Sequence, residues 1–209
     1  MKRFFVILTA LLFVVTLNAQ QLSPIKLNAP DKTRGAAVMK ALDDRKSTAD
    51  YSEQALSLQD MSDLFWAAHG INRPEEGKRT TGSAMNRQDV MVYAFTTGGV
   101  YLYDAEAHEL KPVTTGDHRM LFGERSMSPM IILLVTDVAK FGEVGDPTLR
   151  REWGAIDVGL VSQNIALFCS GTGIGTKPRA SMDREAIKSL LKLTDLQLPI
   201  LNHAVGYIK

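Results

Sequence analysis

Apolar side chains recur at helical spacing in four segments of the chain, which predicts four helices. The second is the best marked, because Ser57 can cap its start, Asp60 follows in the first turn, and Gly70 can end it. The third is the longest, with apolar positions at Ile156, Leu160, Ile165 and Phe168. The predicted helices cover residues 36–43, 58–69, 149–170 and 183–193.

Runs of β-favouring residues predict the strands between these helices. Residues 90–96 and 100–104 flank Thr97-Gly98-Gly99 and predict a hairpin. Residues 129–136 form a continuous apolar run, typical of a central strand that is buried on both faces. A final strand is predicted at 199–208, and turn-rich loops at 75–87 and 105–127. Because helices interleave with strands around a hairpin, the pattern favours an α+β sandwich over a purely parallel sheet.

The N-terminus has the pattern of a secretory signal. Basic Lys2 and Arg3 precede residues 4–17, which carry no charge. As a helix this run would be roughly 21 Å long, which is short for a hydrocarbon core of about 30 Å. We therefore predict a signal peptide at 1–19 that is cleaved after Ala19, an extended arm at 20–35 and one domain at 36–209. The protein would be exported, with a periplasmic location, and an uncleaved membrane anchor is the alternative.

Charge and composition exclude several functions. Of 24 basic and 23 acidic residues, Lys2 and Arg3 leave with the signal, so the mature chain has 22 and 23. This balance gives no support for binding of nucleic acid or of an anionic membrane surface. The single Cys169 excludes an internal disulfide and is predicted to be a small buried apolar residue. No metal site is predicted, because the histidines lack ligand spacing; they are His69, His108, His118 and His203.

The segment Arg45-Lys46-Ser47 follows the first predicted helix and could bind an anion. A guanidinium can donate to two phosphate oxygens at once, and an ammonium and a hydroxyl add further donors. On spacing alone, an ordinary solvated surface is the more common explanation of such basic residues.

Two further polar segments could contact a planar ligand. Residues 79–88, which include Ser83, Asn86 and Gln88, are rich in amides and hydroxyls that could pair with the edge of a heterocycle; an ordinary turn is the alternative. Residues 171–176 read G-x-G-x-G after a helix, which is the wrong spacing and context for a Rossmann loop. We expect Gly171 or Gly173 to end the helix, and residues 177–181 to offer backbone donors.

Together, these segments resemble the nitroreductase family of FMN enzymes from about residue 36 onwards. The resemblance rests on the order and separation of several motifs: Arg45-Lys46-Ser47, Ser83 with Asn86 and Gln88, Asp157 with Gly159, Gln163-Asn164, Gly173-Ile174-Gly175-Thr176, and Val205-Gly206-Tyr207. Residues 64–73, 99–104 and 108–110 also resemble, more weakly, a subgroup that contains azoline-oxidising dehydrogenases.

The resemblance implies an α+β sandwich whose mostly antiparallel central sheet is flanked by helices. It also implies a homodimer with FMN bound at each end of the subunit interface. Arg45, Lys46 and Ser47 would hold the phosphate and ribityl chain, and Ser83 and Asn86 would contact the flavin from the other subunit. Backbone N–H groups of Ala180 and Ser181 would approach flavin N5, and Gln88 and Pro178 complete the implied cofactor-binding set.

Two amides of the long helix, Gln163 and Asn164, are expected to be buried packing groups, with cofactor contact as the alternative. The chain departs from the family pattern at Asp89-Val90, where many members have proline and an aromatic residue. Many members also continue into a tail with further basic phosphate ligands. Here either Lys209 takes that role or fewer cations hold the phosphate.

The resemblance implies that the flavin performs the chemistry by a ping-pong scheme, so no residue is assigned a catalytic role. Three functions follow from it. The first is an NAD(P)H-dependent reductase of nitro compounds or quinones. The second is an extracytoplasmic flavin oxidase or dehydrogenase that does not use NAD(P)H. The third is a flavin-binding protein without turnover.

Overall fold

The computed structural model describes residues 21–123 and 128–209. The predicted signal peptide lies outside the described residues. Within them, the helices are α1 (Val38–Asp44), α2 (Leu58–His69), α3 (Pro147–Thr172) and α4 (Arg184–Leu191). The strands are β1 (Ile25–Lys26), β2 (Ile71–Arg73), β3 (Lys78–Arg79), β4 (Val90–Thr96), β5 (Gly99–Asp104), β6 (Glu109–Thr115), β7 (Met130–Asp137), β8 (Ile174–Arg179) and β9 (Gln197–Tyr207). No helix in these ranges is long and apolar enough to cross a membrane.

One antiparallel sheet organises the described part of the chain. Seven strands pair in the order β1-β6-β5-β4-β7-β9-β8, and β2 and β3 form a separate hairpin. Both faces of β7 are covered, because Ile131, Ile132, Leu133 and Leu134 are all fully buried. Each such side chain contributes about 1.5–3 kcal/mol by leaving water. The predicted α+β sandwich and its buried central strand are confirmed.

Helices cover the two faces of this sheet unequally. One core joins the sheet to α2 and α3 through residues such as Leu64, Phe65 and Ile165. The other joins the opposite face to α4 through Ile187 and Leu191. The long α3 therefore lies against the middle of the sheet, and the segments that attach to it are placed along its length.

Close packing of α3 depends on a glycine. A Cβ atom added to Gly154 would lie 2.3 Å from Thr136 Oγ1 and 2.9 Å from Thr136 Cγ2. Neither neighbour can move freely, because the Thr136 hydroxyl is buried and donates to Asp89 Oδ2 at 2.5 Å. Only glycine allows the helix to approach β7 this closely.

The helix boundaries follow their sequence signals. The Ser57 hydroxyl accepts a hydrogen bond from the Asp60 N–H, and Gly70 ends α2, as predicted. Gly173 ends α3 with a left-handed φ of 75° and donates to Cys169 O. Of the two glycines expected to end this helix, Gly173 is therefore the one in the left-handed conformation.

Three strand regions were not predicted. β6 lies within the segment predicted as a loop at 105–127, and the β2–β3 hairpin lies within or beside the loop predicted at 75–87. β8 occupies residues interpreted only as a helix end and a donor-rich segment. β8 tolerates Pro178 because it is an edge strand, where a missing N–H need not break the sheet.

The N-terminal arm is held by the domain at both ends. Its residues 25–26 form β1, which pairs with β6. Arg34 then forms ion pairs with Asp60 and Asp63 of α2, both of which are buried residues. Residues 25–26 of the arm are thus fixed to the sheet, and Arg34 is fixed by charged contacts near the start of α1.

Candidate functional site

The segment after α1 is extended and lies against β8. Thr48 donates its backbone N–H to Thr176 O at 2.9 Å. Lys46 and Thr48 line a cavity of about 280 Å³. Since side chains of an extended segment alternate between two sides, Arg45 and Ser47 point away from this cavity. All three candidate residues are exposed, and Arg45 forms no ion pair with any part of the described chain.

Tyr51 fixes this segment to the end of the sheet. Its hydroxyl donates to Thr48 O at 2.5 Å, and its backbone forms an isolated antiparallel bridge with Ile208. Two glycines make room for the ring, because a Cβ on Gly175 would lie 3.1 Å from it and one on Gly206 3.4 Å. The role of Gly175 and Gly206 is thus steric, because the absence of a side chain on β8 and β9 leaves room for the Tyr51 ring.

Lys209 reaches the same end of the sheet. Its backbone N–H lies 3.5 Å from Asp50 O, and its ammonium Nζ lies 3.5 Å from Asp50 Oδ1. Both side chains are exposed, so solvent weakens this ion pair. The structure therefore brings Lys209 to the segment that contains Arg45 and Ser47, but with Asp50 as its present partner.

The segment after β8 offers backbone donors. Ala180 and Ser181 lie beyond the last ladder pair of β8, and no hydrogen bond within the described ranges uses their N–H groups. Asn202 holds the segment by donating from Nδ2 to Ser181 O at 3.0 Å. Pro178 precedes these residues and is exposed. Thr176 and Ala180 are four residues apart, which is about 13 Å along a strand.

Arg179 is a residue that the sequence interpretation missed. Its guanidinium donates to Asn202 Oδ1 at 2.7 Å, while its Nε is buried and has no acceptor in the described chain. Burial lowers the pKa of Arg179. This cation directly precedes Ala180 and Ser181 in the sequence and can attract an anionic or carbonyl-rich ligand.

The loop formed by residues 83–88 has a strained backbone. It contains a 3₁₀ turn, Ala84–Asn86, and three non-glycine residues with left-handed φ: Met85 at 52°, Asn86 at 54° and Gln88 at 48°. Such conformations cost about 1–3 kcal/mol each and persist only when surrounding contacts impose them.

Hydrogen bonds impose that conformation on both sides of the loop. Asp157 accepts from the Ala84 N–H with both oxygens, at 2.8 and 3.0 Å, and the Ser83 hydroxyl accepts from the Gln88 N–H at 2.8 Å. Arg79 donates to Gln88 Oε1 at 2.9 Å. The Gln88 amide is therefore already engaged within the chain, whereas Asn86 is exposed at the surface of the loop.

The candidate residues fall into two groups that α3 separates. The 83–88 loop attaches to α3 at Asp157, and α1 attaches at Ser170, whose hydroxyl donates to Ala41 O at 2.7 Å. The two attachment points are 13 residues apart in sequence, which is about 20 Å at 1.5 Å per residue. In one chain, Arg45 thus follows a helix that is held near the C-terminal end of α3, whereas Asn86 lies in a loop that is held near the middle of α3.

The sequence model of the nitroreductase family matches residues 42–207, which is most of the chain and includes every candidate site residue except Lys209. The chain belongs to the nitroreductase family. A solved structure from Ralstonia eutropha JMP134, named as a nitroreductase, is 31% identical with a TM-score of 0.84, and the match covers 89% of this chain and 90% of that one.

Two more distant structures share the nitroreductase fold. A Staphylococcus epidermidis ATCC 12228 structure named as an NAD(P)H:FMN oxidoreductase is 16% identical, with a TM-score of 0.61 over 86% of this chain and 91% of that one. A chain of the E. coli microcin synthetase McbBCD complex is 15% identical, with a TM-score of 0.68 over 99% of this chain and 85% of that one. At these identities the likeness concerns the fold alone.

Exposed apolar side chains lie on α1 and α3 of the domain. Val38 and Met39 of α1 are 68% and 77% exposed, and Ile156 and Leu160 of α3 are 60% and 45% exposed. Gln163 lies on the same side of α3 and is exposed, so its predicted burial is wrong. The reason is that α3 buries only the side that faces the sheet. Exposed apolar groups that share a face indicate an interaction surface.

The other helix amide behaves as predicted. Asn164 is half-buried and donates to Ala67 O at 2.9 Å, which joins α3 to α2. Cys169 is fully buried, which confirms its prediction as a small apolar core residue.

Buried histidines of the domain have structural partners. His203 lies between the Ser162 hydroxyl at 2.8 Å and the Thr176 hydroxyl at 3.1 Å. Burial lowers the pKa of His203 to about 3, so the ring stays neutral. Within the described residues, no group of three or more His, Cys, Asp or Glu side chains could hold a metal ion.

Proposed function

We propose that this nitroreductase binds FMN between two copies of the chain and uses it in oxidoreduction. One observation supports this most directly: the Ser170 contact that holds α1, the helix before Arg45, lies about 20 Å along α3 from the Asp157 contact that holds the strained loop presenting Asn86. A two-fold dimer can bring the loop of one subunit to the donors of the other. The site would then contain groups from both chains.

The donor set of one subunit fits a flavin mononucleotide. Arg45 and Ser47 are exposed and can donate to the phosphate, and Lys209 contacts Asp50 in the same segment. The free N–H groups of Ala180 and Ser181 lie about 13 Å further along β8, a span that a ribityl phosphate and the central flavin ring can bridge. Lys46 faces the cavity behind this segment and would act on the phosphate only through its charge.

Bound FMN would supply the hydride and electron transfer at its N5. The protein's part is to bind and orient it. Ala180 and Ser181 would donate to the N5 edge, and Ser83 and Asn86 of the second copy would cover the ring. In a ping-pong scheme the electron donor and the acceptor would occupy the same pocket in turn. We take NAD(P)H as donor and a nitro compound or quinone as acceptor.

A second candidate is an extracytoplasmic oxidase or dehydrogenase that does not use NAD(P)H. Two observations favour it. The basic and apolar N-terminus is typical of an export signal, and an exported protein meets little reduced nicotinamide. Residues 64–73, 99–104 and 108–110, which resemble the subgroup containing azoline-oxidising dehydrogenases, also favour it.

Cofactor content is the first test of this proposal. The purified mature chain should be yellow, or become yellow on addition of FMN, and the released flavin should be FMN by chromatography. Anaerobic NADH or NADPH should then bleach the visible band. If NADH and NADPH do not bleach the yellow protein but another electron donor reduces it, the second candidate is supported. If no donor gives turnover, the protein binds flavin without being an enzyme. A colourless chain that cannot be reconstituted contradicts all three.

The dimer can be tested at its proposed surface. Ile156→Asp would place an unpaired carboxylate in the apolar interface, which costs several kcal/mol, so we expect dimer dissociation to increase by about 100-fold or more. Light scattering after gel filtration should show the mass falling by half. Leu196→Asp is the matched control, because Leu196 is also exposed, at 50%, but lies in the turn before β9. Dimeric Ile156→Asp protein would place the interface elsewhere.

A further inference from the structure

Asp89 directly follows the strained loop, at the position where many family members have proline. Its side chain is completely buried. Oδ2 accepts a hydrogen bond from the Thr136 hydroxyl at 2.5 Å. Oδ1 is also buried, and it accepts no hydrogen bond from any residue in the described ranges 21–123 and 128–209. Burying a carboxylate oxygen without a hydrogen-bond donor costs free energy. A neighbouring group that carries a proton would remove this cost by donating to Asp89 Oδ1.

Asp157 is placed to supply that proton. It is 2% exposed and lies within hydrogen-bonding reach of Asp89, while both of its oxygens also face the Ala84 N–H. Burial, followed by the neighbouring Asp89 carboxyl, raises the pKa of Asp157 to about 7. Two carboxylates this close do not readily ionise together. When protonated, Asp157 can donate to Asp89 Oδ1, which otherwise lacks a donor.

We propose that Asp89 and Asp157 share one proton and act as a positioning pair that holds the 83–88 loop in the conformation that contacts FMN. This rests on the proposed function, in which the loop reaches the cofactor of the second copy. Asp157 holds the loop at Ala84, and Asp89 holds its other end through the chain at Gln88. Loss of the shared proton places two negative charges in the core beneath the loop and releases it.

Other ionisable groups surround the pair. Lys140, which follows β7, donates to Gln88 O at 2.8 Å, and Arg79 of β3 donates to the Gln88 side chain. Asp137 at the end of β7 donates its backbone N–H to Asp89 O, and its carboxylate accepts a hydrogen bond from the Ala139 N–H. His69 lies near Arg79 and Lys140, and burial lowers its pKa to about 3. The exposed Arg87 lies in the loop itself.

Two quantities test the pair in the full chain: the Kd for FMN and the hydrogen-exchange protection of the Ala84 amide, which needs no flavin. The pKa of Asp157 is about 7, so the fraction of molecules that carry the shared proton falls from about 0.9 at pH 6 to about 0.1 at pH 8. If only the protonated pair holds the loop, the fraction of molecules with the loop in place falls equally. The Kd of the wild type should therefore rise about tenfold, and the protection factor should fall about tenfold.

Asp89→Asn should remove this pH dependence and keep the affinity of the wild type at pH 6, because the amide donates to Asp157 without a shared proton. Asp157→Asn should do the same by donating to Asp89. Asp195→Asn neutralises a fully exposed acid and should follow the wild type. Titration of the FMN phosphate and of the surrounding groups is common to all four proteins and cancels in the comparison.

The two proposals fail in different ways. If FMN binds but neither quantity distinguishes Asp89→Asn from the wild type across this pH range, the positioning pair is wrong. If the wild type does not bind FMN yet Ala84 protection falls as expected and is restored in Asp89→Asn, the shared proton holds the loop but the flavin function is overturned.

Discussion

Arg45→Ala is expected to weaken FMN binding by about 10- to 150-fold, or about 1.5–3 kcal/mol, the range for a hydrogen bond to a charged group. Arg45 is exposed and forms no ion pair with the described part of the chain. Its guanidinium is thus free to donate to a phosphate. Titration of the apoprotein with FMN, followed by fluorescence quenching, measures the change.

Two variants separate charge from geometry. Arg45→Lys keeps the charge but loses the paired donors, so its loss should fall between those of wild type and Arg45→Ala. Lys46→Ala should have a smaller effect than Arg45→Ala, since Lys46 faces the cavity on the other side of the segment. Unchanged affinity in Arg45→Ala would remove the phosphate assignment, and a larger loss in Lys46→Ala would move it into the cavity.

Gly154→Ala is expected to destabilise the domain by about 1–3 kcal/mol, as overpacking of a close-packed core does. The added methyl would lie 2.3 Å from Thr136 Oγ1, so α3 and β7 must separate or the Thr136–Asp89 hydrogen bond must break. For a chain of this size, the melting temperature should fall by about 3 to 10 °C. Thermal unfolding monitored by circular dichroism tests this.

The control lies five residues later in the same helix. Gly159 has no neighbour within 4 Å of an added Cβ, so Gly159→Ala should leave stability unchanged or raise it by up to about 1 kcal/mol through helix propensity. A Thr136→Ala background should relieve part of the Gly154→Ala loss in a double-mutant cycle. Equal stability of wild type and Gly154→Ala would show that α3 does not depend on this contact.

Local signals in the sequence were enough to predict the helices and the central strands. Ser57 and Asp60 fix the start of α2 by a hydrogen bond between neighbours, and the run in β7 is apolar because both faces are buried. β6 and β8 lack such signals. β6 contains Pro112 and alternates with polar residues, and β8 contains Gly175 and Pro178, so only their pairing with β5 and β9 makes them strands.

The candidate site shows the same division. The segments around Arg45, Asn86 and Ala180 could be found from residue types and their order. The sequence could not predict the sides to which Arg45 and Lys46 point, because these depend on the hydrogen bond from the Thr48 N–H to Thr176 O. The role of Asp89 was also hidden. A single aspartate after a loop is ordinary in a sequence, and its meaning depends on Asp157, a distant residue in the chain.

Because Cys169 is buried, its reaction with a thiol reagent can report local opening of the folded protein. It is the only cysteine in the sequence, and its side chain is fully enclosed where α3 meets the sheet. A thiol reagent can reach the sulfur only when this part of the domain opens. The rate of labelling therefore measures how often the native protein opens around α3, without any introduced label.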